Sequence, residues 1–198
     1  MSINLEKGGR INLSKEMPSL NKVRVGLGWE ANQFDTGGDF DIDVSLFMLA
    51  PDTAGNAKLP NEKNFIFYGN LVSPDGSVRH SGDNKVGGSG DLETLFVELG
   101  KVDPKVAELS IVCTIYKADE RKQNFGQIRN SYVQLYNDDT GEAVARYQLE
   151  DEFSVETAIQ VGSLYRKDGH WFFKAVGAGY KKGLADFVRA YGADAEGD

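Results

Sequence analysis

Cysteine, histidine, proline and basic charge are all scarce in this chain of 198 residues. The single cysteine, Cys113, lies inside the apolar run "LSIVCTIY". It excludes an internal disulfide and reads as a buried core residue. Two histidines, His80 and His170, with one cysteine are too few for a zinc or copper centre. A lone His80 reads as a surface or hydrogen-bonding residue rather than a ligand. No apolar run approaches the ~20 residues of a membrane span, and "MSINLEKGGRINLSKE" has no apolar signal core. The expected location is therefore the cytoplasm. The richest basic stretches, "ADERKQ" and "YKKG", are short, and the net charge is −8. Nucleic acid and anionic lipid are repelled by that balance, so no nucleic-acid partner is expected and cations or basic partners are favoured.

Hydrophobic residues at 40% and aromatics at 11% are enough for a real core. The apolar residues are arranged in short runs: "KVRVGLGW", "DFDIDVSLFML", "NFIFYGNL", "TLFVEL", "LSIVCTIY", "SYVQLYN", "AVARYQL", "AIQVGSLY" and "HWFFKAV". Turn signals such as "SPDGS", "NDDTG" and "RKDG" separate them. This pattern predicts an all-β, two-sheet β-sandwich with a few short helices. One helix is predicted over "DPKVAEL", capped by Asp103 with Pro104 at its first position. A C-terminal amphipathic helix is predicted over "GLADFVRAY", where Leu184, Phe187, Val188 and Tyr191 share a face packed on the sandwich. "GAGYKKG" lacks the βαβ setting of a nucleotide loop and reads as a turn. Residues 1–192 are expected to form one domain and 193–198 a frayed tail.

The segment "GDFDIDVSLFML" places Phe40, Ile42, Val44, Leu46 and Met48 on one strand face, all apolar. Asp39, Asp41, Asp43 and Ser45 begin the other face, which then turns apolar at Phe47 and Leu49. Same-face neighbours are ~7 Å apart, so the aspartates repel one another unless water or a cation intervenes. One reading is a solvated strand start. The other is a cation site in which Asp41 and Asp43 are hard oxygen ligands. Calcium takes six to eight oxygens, more than one strand supplies.

The loop "GDNKVGGSGDLE" (82–93) offers the missing donors. It is not a phosphate loop: no Gly-Lys-Ser/Thr occurs and a strand follows. Nor is it an EF-hand, since counting from Asp83 puts Lys85, Gly87 and Thr94 at ligand positions. Asp83, Asn84, Ser89, Asp91 and Glu93 nevertheless carry side-chain oxygens, and the glycines allow carbonyls to turn inward. On residues alone, a calcium loop and a plain flexible loop both remain open. In "GLGW" the glycines are expected to allow close backbone approach, with Trp29 in the core. "KADERKQNFG" reads as a solvated connection, or as a partner contact with extra oxygens from Asp119 and Glu120.

Taken in order, "GLGW", "SPDGSVRHSGDN", "NFGQ" and "FKAVGAGY" resemble the TerD family of tellurium-resistance and general-stress proteins, collinearly over nearly the whole chain. The resemblance implies a calcium-binding β-sandwich of bacterial cytoplasm without catalytic activity. It also implies work beside other stress or tellurium-resistance proteins, some at the membrane surface. The family's loop typically reads G-D-N-x-T-G-x-G-x-G-D-D-E. Here Gly82, Asp83, Asn84, Gly87, Gly90, Asp91 and Glu93 match it, and Asp41, Asp43 and Ser45 match D-x-D-x-S. The loop is one residue shorter, with Val86 at the usual threonine and Leu92 at an acidic position. Fewer carboxylates imply weaker calcium binding, or one ion where relatives hold two. The alternatives are a calcium-dependent sugar or small-ligand binder using Trp29 or Tyr68, and a metal-assisted hydrolase. Against the hydrolase, no nucleophile with an adjacent base is visible.

Overall fold

The computed structural model describes residues 2–31, 40–82, 91–149, 153–181 and 183–193. The chain opens with β1 (Ile3–Leu5), β2 (Arg10–Asn12), a single turn α1 (Leu13–Glu16), β3 (Lys22–Ala31) and β4 (Ile42–Pro51). It continues through β5 (Ala57–Lys58), β6 (Phe65–Ile66), β7 (Val78–His80), β8 (Glu93–Glu98) and β9 (Glu108–Ile115). After α2 (Ala118–Arg121) come β10 (Ile128–Asn137), β11 (Ala143–Gln148), β12 (Ala158–Lys167), β13 (His170–Tyr180) and α3 (Gly183–Ala190).

Alternation along these strands builds two sheets. One has six strands in the order β1-β11-β10-β3-β8-β7. The other has seven, β2-β13-β12-β9-β4-β5, with β6 also on β4. The expected sandwich is what forms. Ile42, Val44, Leu46 and Met48 of β4 meet Val23, Val25, Leu27, Leu95 and Val133 of the facing sheet in one continuous core. Cys113 is in that core, 1% exposed. The N-terminal segment joins the layers: β1 pairs in parallel with β11, whereas β2 pairs with β13 of the other sheet.

The turn signals read correctly. Asp168 and Gly169 both have positive φ, 51° and 76°, which suits the tight β12–β13 hairpin. In "SPDGS", one oxygen of Asp75 accepts bonds from Ser73 Oγ (2.6 Å), Ser77 Oγ (2.7 Å) and the Ser77 N–H (2.9 Å). Its other oxygen accepts the Asp103 N–H at 2.9 Å.

Three local expectations are corrected. "DPKVAEL" is not a helix. Asp103 does accept the Lys105 N–H at 2.8 Å, but only one turn forms. The Ala107 N–H then donates to the Leu49 carbonyl and the chain enters β9, so sheet pairing overrides local helix preference. "NFIFYGNL" forms a strand only over Phe65–Ile66, because Phe67 and Asn70 close a turn on each other. "GAGY" is the end of β13 rather than a turn.

The C-terminal helix forms as predicted. Phe187 and Val188 are buried against Phe47, Leu49, Val112 and Ala158 on the outer face of the seven-stranded sheet, with Leu184 and Tyr191 partly buried beside them. Residues 194–198 of the expected tail lie outside the described residues.

Candidate metal centre

Among the expected ligands, Asp41, Asp43, Asp91 and Glu93 lie at one end of the sandwich. Strand β4 starts there, β7 ends there, β8 starts there, and the 83–90 segment connects the last two. Asp83, Asn84, Gly87 and Ser89 lie outside the described residues, as does Asp39.

Asp41 and Asp43 alternate with the core residues of β4 and so face outward, in the row that continues to Ser45, Phe47 and Leu49. This outer face is covered: Asp43 is 8% exposed and Ser45 1%. The Ser45 hydroxyl is buried with no hydrogen-bond partner among the described residues. That orphaned oxygen, in line with two carboxylates, suits a hard cation better than an empty sheet face. The Asp41 carbonyl accepts the Tyr116 N–H at 2.8 Å, and its carboxylate lies 4.0 Å from Arg121. Asp119 and Glu120 are exposed on α2.

Glu93 lies elsewhere. It alternates with Leu95 and Val97 into the interior and is 1% exposed. Its carboxylate is 3.4 Å from His80 Nε2. His80 accepts the Gly82 N–H at Nδ1 (2.9 Å) and donates from Nε2 to the Val44 carbonyl (3.0 Å). The first residue of the loop is thus tied, through one imidazole, to the neighbour of Asp43. Asp43 and Glu93 also share a nearby core residue. Burial pushes the Cys113 thiol well above its usual range, and both charges add to that shift.

Asp91 turns onto the opposite outer face. One oxygen accepts from Arg24 (2.9 Å), the other from the Tyr132 and Tyr136 hydroxyls (3.0 and 3.2 Å). Burial, and then the Asp91 charge, raise both phenols, Tyr132 to about 12. Arg24 stacks over Tyr136 and Arg146 over Tyr132, with cation-to-centroid distances of 3.9 and 3.7 Å. Asp91 and Glu93 diverge because Leu27 pairs with Glu93 while its carbonyl also accepts the Leu92 N–H (2.7 Å). Two residues oppose one, as in a β-bulge, and strict alternation is broken.

Among the described residues, then, Asp41 and Asp43 share a face, while Asp91 and Glu93 diverge from it and from each other. No group of three or more Asp, Glu, His or Cys side chains placed to hold a metal occurs among them. The glycines of "GLGW" act as expected. A Cβ at Gly26 would collide with the Asp91 carboxylate, and one at Gly28 would come within 2.5 Å of the Tyr132 ring. Trp29 is in the core, 5% exposed, and Tyr68 is exposed. "NFGQ" is structural. Gln127 Oε1 accepts the Asn124 N–H at 2.8 Å, Phe125 is buried, and a Cβ at Gly126 would strike the Ser154 backbone. Sequence reasoning missed the Arg24–Tyr132–Tyr136 cradle; it allowed His80 a hydrogen-bonding role, but not its burial between the sheets. The alternation of Val78 and His80 was the available signal for the latter.

The family model for the TerD domain matches residues 1–191. The chain belongs to the TerD family. It is 48% identical to General stress protein 16U of Bacillus subtilis (strain 168), over 97% of this chain and 98% of that protein. It is also 48% identical to Tellurium resistance protein TerD of Serratia marcescens, over 98% and 100%. A solved homologue of telluride resistance protein (TerD) from Streptomyces coelicolor A3(2) superposes with a TM-score of 0.70. That match has 21% identity and covers 89% of this chain and 100% of the other, so it supports the shared TerD fold. No helix among the described residues is long and apolar enough to cross a membrane.

Proposed function

We propose that this TerD-family protein binds calcium and acts, without catalysis, as a scaffold or sensor for other proteins in stress response and tellurite resistance. The observation that supports the calcium reading is the tie from Gly82 through His80 to Val44, the strand neighbour of Asp43. Asp41, Asp43 and the buried, unpartnered Ser45 hydroxyl supply oxygens from the strand. Asp83, Asn84, Gly87 and Ser89 are the loop donors that complete the shell. Asp91 and Glu93, the remaining candidates, hold the end of the loop through Arg24 with the tyrosines and through His80. Either one exchanges those contacts if it joins the ion. The names of the similar stress and tellurium-resistance proteins support the biological setting. Cytoplasmic work beside partner proteins belongs to the same proposal.

Calorimetric titration of the metal-stripped protein with calcium, followed by thermal melting, tests this reading. Saturable binding is expected, with a rise in melting temperature that grows with free calcium. Given the short, less acidic loop, one ion or two weak ones are expected; two tight sites would defeat that part. Asp41→Asn with Asp43→Asn should remove the calcium response. An unchanged response would place the ion elsewhere. The sugar-binder alternative loses one of its two aromatic platforms, because Trp29 is buried.

A further inference from the structure

On the outer face of the seven-stranded sheet, away from the acidic end, lies an open cleft of about 650 Å³. Arg10, Glu108, Gln160, Ser163, Arg166 and Lys174 line it. Register explains the arrangement. Ser110 pairs with Ser163, Ser163 with Lys174, and Lys174 with Arg10, so four strands place these side chains in one outward row.

The floor is polar and fixed. Ser110 is fully buried and Ser163 is 3% exposed. Gln160 Nε2 donates to Ser110 Oγ at 2.9 Å and to Ser163 Oγ at 3.3 Å. Ser163 donates to Glu108 at 2.5 Å, and Ser110 shares a 3.0 Å bond with the Tyr191 hydroxyl. The carboxylate of Glu108 is thereby engaged from below.

The rim is basic. Lys174 and Arg10 stand directly opposite each other, a like-charge pair that costs stability in a sheet. Neither forms an ion pair among the described residues, in a chain with a net charge of −8. Arg166 also borders the cleft, but its guanidinium turns to the core side, held by the Val102 carbonyl at 3.1 Å and stacked on Trp171. Two cations beside one hydrogen-bonded carboxylate leave the cleft positive.

We propose that this cleft is a binding site for a small oxyanion, a phosphate- or carboxylate-bearing molecule, separate from the calcium site. The anion lies between Arg10 and Lys174 and neutralises their repulsion. Arginine and lysine together suit such a ligand: the guanidinium gives two parallel N–H groups and the ammonium a point charge.

The test is calorimetric titration of the whole protein with inorganic phosphate and, separately, citrate, at constant ionic strength set with sodium chloride. Saturable binding of at least one is expected; phosphate alone assigns a phosphoryl ligand, and citrate alone a carboxylate. Arg10→Gln with Lys174→Gln should weaken it by about tenfold or more. Without anion that variant should melt no lower than the parent, because the opposed charges are gone. Lys181→Gln, an exposed cation outside the cleft, should bind like the parent. The single Arg10→Gln variant repeats the test with Lys174 in place. Absence of saturation with both anions, or unchanged binding in the double variant, overturns the proposal.

Discussion

Gly26 has no side chain because the Asp91 carboxylate fills that space. Gly26→Ala should therefore push Asp91 off the cradle and destabilise the fold by about 1–3 kcal/mol, read by denaturant unfolding. The same cradle predicts a pH effect. Tyr132 is raised from 10 to about 12, so the folded state holds its phenolic proton more tightly than the unfolded chain. The associated stability is complete below pH 10 and is lost as pH rises through about 12. Asp91→Asn removes one of the charges that disfavour phenolate, so the ultraviolet titration of Tyr132 should move back toward 10. A midpoint that stays put would show that burial alone sets it. At this scale the sequence was half legible. The glycines of "GLGW" announced a close approach, but what approaches depends on the registers of β3 with β8 and with β10, both pairings of residues distant in sequence. Asp91 and Glu93 were grouped as oxygen donors of one loop, and the extra residue at Leu92 sends them to different faces.

Elements whose signal is periodic were read well. Strand β4 shows its two faces in plain alternation, and α3 shows its apolar stripe. Each explains the other: Phe47 and Leu49 point outward because α3 covers them. Phe187 is the centre of that cover, 4.5 Å centroid-to-centroid from Tyr180 and 6.4 Å from Phe47. Phe187→Ala should cost about 3 kcal/mol and expose enough of the sheet to bind a hydrophobic dye. A variant that unfolds like the parent and stays dark would mean that the helix contributes no cover. Elements fixed by distant partners were read poorly. "DPKVAEL" has a good cap and a compatible sequence, yet Leu49 captures the Ala107 N–H and draws the segment into a sheet. Strands β1, β2 and β7 are too short for any pattern and exist because a longer strand lies beside them.

Across the whole molecule, His80 joins the two layers, bonding from β7 of one sheet to Val44 of the other. Its removal leaves Glu93 buried without this neighbour. His80→Ala is expected to cost about 3 kcal/mol and to increase amide exchange in β7 and the start of β8. A loss under about 1 kcal/mol would show that the sheets hold together there by core packing alone. The N-terminal segment performs the same joining at another edge. Ile3 pairs with Ala145 of one sheet, and Arg10 with Lys174 of the other. On a ribosome, residues 3–12 are made long before their partners, which emerge only after some 130 further residues or more. Two strands of this sandwich therefore stay unpaired while most of it is made, and the layers close only once β11 and β13 have emerged.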